Sequence, residues 1–339
     1  MKFLSLILIL SILTGGSVQA GSLSDFNARN WGLGQAASKI QKAWSITQGS
    51  RNVVVAVIDT GIDANHPDLK PNLWKAPLKA STYGWDFVSR QANPSDTHGH
   101  GTHIAGIIGA IANQKTGTAG VAQQVQIMPI RYYSETAPGS VNLANTIKAL
   151  HYAIDNGARI INYSGGGPEY SEEEFQAMKK AESRGILIVA AAGNEGQNTD
   201  LENNRYYPAA YEGKGLKNII TVASINADGK LLNSSNYGLK SVDIAAPGEG
   251  ILSTIPGSKY GKLTGTSQAT AFVSGVAALL LSKQPDMSPQ QIKEVIVKSA
   301  SQSSHLRGKI ASAGTLDAQK ALNMITVGAT TATRKMASW

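Results

Sequence analysis

The sequence contains no cysteine, which excludes disulfide bonds, a cysteine nucleophile and a lipid-modified N-terminal cysteine. Packing or bound ions must therefore stabilise the fold. There is no run of about 18 consecutive apolar residues, so we expect no membrane-spanning helix. The net charge is +8, but the lysines and arginines are dispersed rather than clustered with aromatic residues, so nucleic-acid binding is not expected.

The first residues have the pattern of a cleavable export signal. Lys2 precedes an apolar run at residues 3–13, and small and polar residues follow up to Ala20. The run is short for the alternative, a membrane anchor. We expect cleavage after Ala20, a secreted or periplasmic location, and no membrane attachment of the mature chain.

The rest of the chain is expected to be a monomer with one α/β domain at 50–325, between an N-terminal arm at 21–49 and a C-terminal tail at 326–339. Apolar, β-branched runs without alternation recur along the domain and predict strands buried on both faces of a parallel sheet. These runs are residues 53–58, 125–130, 159–163, 186–191 and 219–224. Helical patterns at 140–156 and 171–183 separate several of these strands, and a short helix is expected around 36–44. Residues 267–282 are apolar almost all round, which predicts a buried helix.

Several polar residues that could be catalytic lie beyond the carboxyl ends of the predicted strands, which is where open parallel sheets bind their ligands. Asp59 directly follows the first strand, Asn194 follows the run that ends at 191, and His100 and Ser267 each open a helix. Each residue alone fits a turn, a helix cap or a buried histidine. Together they can supply a serine nucleophile, its histidine base, a carboxylate that orients the base and a donor for the oxyanion.

Four motifs in order resemble the subtilisin family of serine proteases, over about residues 31–321. They are VIDTGID at 57–63 with HPDL at 66–69, HGTHIAG at 100–106, AAGNEG at 191–196 and GTSQA at 265–269. The chain order Asp, His, Ser separates this family from α/β-hydrolases and chymotrypsin-like enzymes.

The resemblance implies a subtilisin-like α/β fold, a three-layer arrangement in which helices flank an open, mostly parallel β-sheet. It also implies an endopeptidase for protein or peptide substrates that needs no catalytic cofactor and works through an acyl-enzyme. Its catalytic triad would be Asp59, His100 and Ser267, with Asn194 in the oxyanion hole.

A further string, INYSGGG at 161–167, resembles the family segment that binds the substrate backbone as an added strand and then lines a pocket. The resemblance implies that Ser164, Gly165 and Gly166 bind substrate and that Glu195 reaches the pocket rim. No charged residue is clearly placed at the base of this glycine-lined cleft, which favours a broad or apolar preference.

A structural Ca²⁺ ion is also implied by the resemblance. Asp68 and Asn113 match positions that supply calcium ligands in the family, and hard oxygen donors suit this ion.

Two other functions are compatible with the residues. His98, His100 and His103 have an H-x-H-x-x-H spacing close to that of a metal hydrolase, although Thr102 stands where the familiar two-metal version has aspartate. A catalytically silent domain of the same family, used as a binding module, is the second alternative.

Overall fold

A ten-stranded β-sheet forms the centre of the computed structural model, which describes residues 30–77, 81–112 and 118–326. The export signal predicted at 1–20, the first part of the predicted arm and the tail beyond 326 lie outside the described residues. The strands are numbered along the described chain as β1 Gly49–Asp59, β2 Trp85–Asp86, β3 Gln91–Ala92, β4 Gln124–Arg131, β5 Ile160–Tyr163, β6 Leu187–Ala191, β7 Ile219–Ile225, β8 Ile244–Pro247, β9 Ile251–Ile255, β10 Lys259–Leu263, β11 Ser301–Gln302 and β12 Gly314–Thr315.

The α-helices are numbered in the same way. They are α1 Ile40–Ala43, α2 His100–Gly109, α3 Gly139–Asp155, α4 Glu172–Ser183, α5 Thr266–Lys283 and α6 Pro289–Ser299, and residues 318–326 are also helical. The 3₁₀ turns are Trp31–Leu33, Lys70–Asn72, Glu202–Asn204, Ala209–Lys214 and Ser304–Leu306.

The strand order in the central sheet is β11-β12-β8-β7-β6-β5-β1-β4-β2-β3. All pairs from β12 to β2 are parallel, and only the outer pairs β11–β12 and β2–β3 are antiparallel. Strands β9 and β10 form a separate antiparallel pair. The sequence-based prediction of an open, mostly parallel α/β sheet is confirmed, and its five apolar runs are β1, β4, β5, β6 and β7.

Strand β1 shows why the central strands lack alternation. Val55 and Val57 pack into an apolar core together with α2 and α5, whereas Ala56 and Ile58 pack into a second core with α3 and α4. Both faces of the sheet are therefore covered, so apolar residues are favourable at every position. This arrangement gives the three layers of the fold.

Helix α5 is the buried helix predicted at 267–282, and its residues are buried from Thr266 to Leu281. Its apolar circumference is explained by its contacts with both the central strands and α2. The helix predicted around 36–44 is only the single turn α1, because Lys39 directly before it has φ of 55°, outside the helical range.

Candidate active site

The candidate site lies at the carboxyl ends of three neighbouring strands, β6, β5 and β1. Tyr163 at the end of β5 is in register with Ile58 of β1 and Ala190 of β6. The chain segments that follow these positions therefore leave the sheet at the same edge. They carry Asp59, Ser164 and Asn194, so these three residues follow strands that end at one edge of the parallel sheet.

Asp59 and His100 form a close ion-pairing contact at this edge. His100 Nδ1 lies 2.7 Å from Asp59 Oδ1 and 2.9 Å from Oδ2, and the backbone N–H of Thr60 donates to Oδ1 at 2.8 Å. The side chains are 4% exposed for Asp59 and 12% for His100. Because Nδ1 donates to the carboxylate, the neutral imidazole carries its proton there and keeps Nε2 as an acceptor.

The pKa of His100 is raised above its ordinary value of 6.5. Burial alone lowers this pKa, but the charge and hydrogen bond of Asp59, together with the charge of Asp96, outweigh burial. The carboxylates thus stabilise the imidazolium, which is the form that a histidine base reaches after it accepts a proton.

A second buried carboxylate, Asp96, fixes the start of α2. Its Oδ1 accepts hydrogen bonds from the His98 and Gly99 backbone and from Thr60 Oγ1, and its Oδ2 accepts from the backbone and the hydroxyl of Thr102, all at 2.6–3.0 Å. The Thr60 hydroxyl in turn accepts from the Gly101 N–H at 2.9 Å. Asp96 therefore joins the loop after β1 to the helix that carries His100.

Sequence reasoning did not identify Asp96. The available signal was its place a few residues before a helix, where an acidic side chain commonly accepts from exposed backbone N–H groups.

Ser267 and Asn194 meet at the N-terminus of α5. Ser267 is 7% exposed, and its hydroxyl donates to the carbonyl of Ser164 at 3.3 Å. Asn194 Oδ1 accepts from the backbone N–H of Thr266 at 2.9 Å and from its hydroxyl at 3.2 Å. A backbone N–H can only donate, so the amide oxygen and not the NH₂ group must face Thr266, the residue directly before Ser267.

The predicted substrate segment follows β5 directly, and the side chain of Tyr132 packs closely against it. A methyl group added at Gly165 would lie 2.1 Å from the hydroxyl of Tyr132, so any larger residue at this position requires the tyrosine ring to move. Glu195 lies next to Asn194 in sequence, but its Oε2 accepts from Asn236 Nδ2 at 2.6 Å. Its carboxylate is therefore tied to the neighbouring loop.

Of the two predicted calcium ligands, Asn113 lies outside the described residues. Asp68 is 3% exposed, and its Oδ2 accepts from the hydroxyl of Tyr260 at 2.6 Å. Burial raises the pKa of Asp68, although the Tyr260 hydrogen bond and the charge of His66 lower it. A nearby cation would relieve this burial cost, so Asp68 fits an oxygen donor to Ca²⁺.

The histidines of the metal-hydrolase alternative have separate partners. His98 Nε2 lies 3.1 Å from a carboxylate oxygen of Glu135, whereas His103 Nε2 lies 3.0 Å from the carbonyl oxygen of Ile251. Burial, followed by the charge of His100, lowers the pKa of His103 to about 3. Within the ranges that the structure describes, no three histidine, aspartate or glutamate side chains are grouped to hold a metal ion. This geometry does not favour the metal alternative.

Comparisons with known proteins agree with the motifs. The profile of the Subtilase family matches residues 50–315. Thermitase of Thermoactinomyces vulgaris is 40% identical over 261 residues, which cover 76% of this chain and 84% of that protein. The major intracellular serine protease of Bacillus subtilis (strain 168) is 37% identical over 256 residues, 76% of either protein.

A thermophilic serine proteinase of Bacillus sp. (strain AK1) is 41% identical over 241 residues, covering 71% of this chain but 55% of that longer relative. The part of the chain that the structure describes contains no helix long and apolar enough to cross a membrane. The extent of the family match and the coverage of thermitase together decide the classification. The chain belongs to the subtilase family and is a serine-type endopeptidase.

Proposed function

We propose that this chain is an exported endopeptidase that hydrolyses peptide bonds in proteins through the triad Asp59, His100 and Ser267. The observation that carries the proposal is the contact of His100 Nδ1 with both carboxylate oxygens of Asp59, at 2.7 and 2.9 Å. This contact fixes the tautomer whose Nε2 can accept the proton of a serine hydroxyl. Ser267, at the N-terminus of α5, is the serine in the matching motif.

In the proposed reaction, His100 Nε2 takes the proton of Ser267 while the serine oxygen attacks the substrate carbonyl carbon. The resulting oxyanion receives hydrogen bonds from the Asn194 NH₂ group and the Ser267 backbone N–H. His100 then gives its proton to the leaving amine, and the acyl-enzyme forms. A water molecule, deprotonated by His100, releases the acyl group and regenerates the hydroxyl.

The Ser267 hydroxyl must turn from the Ser164 carbonyl to His100 for this first step. Substrate gives a reason for the turn, because Ser164, Gly165 and Gly166 would bind the substrate backbone as an added strand and compete for that carbonyl. Glu195 would lie at the edge of the same cleft. The serine thus becomes available to its base when a peptide occupies the cleft.

Three further parts of the proposal concern the whole molecule. The mature enzyme is a monomer formed by an arm at 21–49, a peptidase domain at 50–325 and a tail at 326–339, and it is exported to the periplasm or the exterior after cleavage at Ala20. The enzyme uses no catalytic cofactor. A structural Ca²⁺ ion would bind Asp68 and Asn113.

The test compares purified residues 21–339 with Ser267→Ala and with Ser282→Ala, a control on the same helix. Casein hydrolysis should disappear in Ser267→Ala and persist in Ser282→Ala, because Ser282 contacts Thr47 and Leu279 away from the site. A sulfonyl fluoride should label the parent and the control but not Ser267→Ala. A folded parent that neither cleaves casein nor is labelled would instead favour the silent binding module.

A further inference from the structure

The ring of Tyr206 lies against two glycines beside the proposed substrate segment, Gly166 and Gly193. A methyl group added at Gly166 would lie 2.4 Å from Tyr206 Cε1, and one added at Gly193 would lie 3.1 Å from Cδ2 of the same ring. Cε1 and Cδ2 are opposite atoms of the ring. The tyrosine therefore spans the space between the two chain segments that leave β5 and β6.

The position of Tyr206 is fixed by its backbone. The next residue, Tyr207, exchanges two hydrogen bonds with Gly167, at 2.7 and 2.9 Å, and the carbonyl of Tyr206 accepts from the Ala210 N–H at 2.8 Å. Tyr206 itself is 9% exposed. These hydrogen bonds hold the backbone that carries the ring beside the glycines.

Both glycines border the proposed catalytic groups. Gly166 belongs to the proposed substrate segment, and Gly193 directly precedes Asn194. Gly193 has φ of 99°, which favours glycine, and a methyl group there would also lie 2.4 Å from Asn236 Nδ2 and 2.6 Å from Glu195 Oε2. The space that these glycines leave open is therefore taken by the aromatic ring rather than kept for substrate.

We propose that Tyr206 closes the base of the pocket for the substrate side chain immediately before the cleaved bond, so that the enzyme prefers alanine, glycine or serine there. This inference rests on the proposed function, because it needs Ser267 as the nucleophile. It narrows the broad or apolar preference expected from the glycines alone. A large aromatic side chain needs the volume that the tyrosine ring occupies in the densely packed wall.

The expected discrimination is large enough to measure. One methylene group that does not fit an apolar pocket changes kcat/KM by about 10–200-fold. We therefore expect a peptide with alanine before the cleaved bond to be cleaved at least about 10-fold more efficiently than the same peptide with phenylalanine.

The experiment measures kcat/KM for three peptides that differ only at this residue, which is alanine, phenylalanine or lysine. The enzymes are the parent, Tyr206→Ala, which removes the ring, and Tyr206→Phe, which keeps it. We expect Tyr206→Phe to retain the parent's preference for alanine and Tyr206→Ala to reverse the order of alanine and phenylalanine. The lysine peptide tests whether the nearby carboxylate of Glu195 determines specificity instead.

Titration with a sulfonyl fluoride gives the concentration of active sites and separates the two proposals. A parent that is not labelled would disprove the proposed function. A labelled parent that prefers phenylalanine or lysine, or a folded Tyr206→Ala that keeps the preference for alanine, would overturn the role of Tyr206. If Tyr206→Ala does not fold, the preferences of the parent and Tyr206→Phe, read from cleavage sites in denatured casein, decide the question.

Discussion

Replacing Asp96 by asparagine is expected to destabilise the fold strongly although it changes only one atom. Asp96 is 6% exposed, and each backbone or hydroxyl group that contacts its carboxylate donates a hydrogen bond to it. An asparagine NH₂ group in place of Oδ2 faces the N–H and hydroxyl of Thr102, whereas in place of Oδ1 it faces three donors. Because a hydroxyl can also accept, the first orientation leaves at least the Thr102 N–H without its acceptor, and the second leaves the His98 and Gly99 N–H groups without theirs.

A hydrogen bond to a charged group contributes about 1.5–3 kcal/mol, so losing at least one lowers the free energy of unfolding by about that amount or more. The effect depends on pH. Burial alone raises the pKa of Asp96, but the hydrogen bonds from Gly99, Thr102 and Thr60 together outweigh burial and hold this pKa below its ordinary value of 3.8. The charged form therefore stabilises the fold above that ordinary value, and its contribution is lost as pH falls through the lower pKa of the folded state.

The assay is urea unfolding followed by tryptophan fluorescence, in a Ser267→Ala background that prevents self-digestion. Asp228→Asn is the matched control, because Asp228 is exposed in a loop and its replacement should change stability by less than about 0.5 kcal/mol. At pH 7, Asp96→Asn should unfold at a much lower urea concentration than this control. Equal midpoints and slopes for the two variants would refute the hydrogen-bond account of Asp96.

Three other predictions follow from the site and the core. The acid limb of kcat/KM should have a pKa above 6.5, because His100 must be neutral to act as the base, and a limb with a pKa below 6.5 contradicts this. Asp59→Asn should lower kcat by about 10⁴-fold, and an active variant contradicts the role of Asp59. A calcium chelator should lower Tm in the parent but not in Asp68→Asn, and equal responses count against the calcium site. Gly275→Ala puts a methyl group 2.4 Å from Val121 Cβ and should cost about 1–3 kcal/mol in urea unfolding, and an unchanged midpoint would contradict this packing.

The sequence predicts the central strands well because burial on both faces removes any need for polar residues. The run at 53–58 and strand β1 coincide for this reason, and the helix expected at 267–282 is α5. The length of α1 was not predictable in the same way. It depends on the backbone of Lys39, whose ammonium group contacts the carboxylate of Asp317 far along the chain. A local pattern contains no information about such a partner.

The features of the candidate site also differ in whether the local sequence predicts them. Asp59, His100, Asn194 and Ser267 lie in motifs whose order and strand-end positions are visible in the sequence. The orientation of the Asn194 amide depends on Thr266, and the base of the cleft depends on Tyr206, which lies in no motif. Both contacts join segments that are distant in the chain. The sequence alone therefore indicates the chemistry of the site better than the shape of its pocket.

The distribution of the proposed triad along the chain has a consequence for the timing of biosynthesis. Asp59 and His100 are made early, whereas Ser267 and the helix α5 that packs against α2 are made late. A growing chain thus holds its base and its orienting carboxylate well before it holds a nucleophile. Under the proposed triad, the chain cannot cleave its surroundings while it is being synthesised, and hydrolysis begins only when α5 has packed against α2 and the sheet.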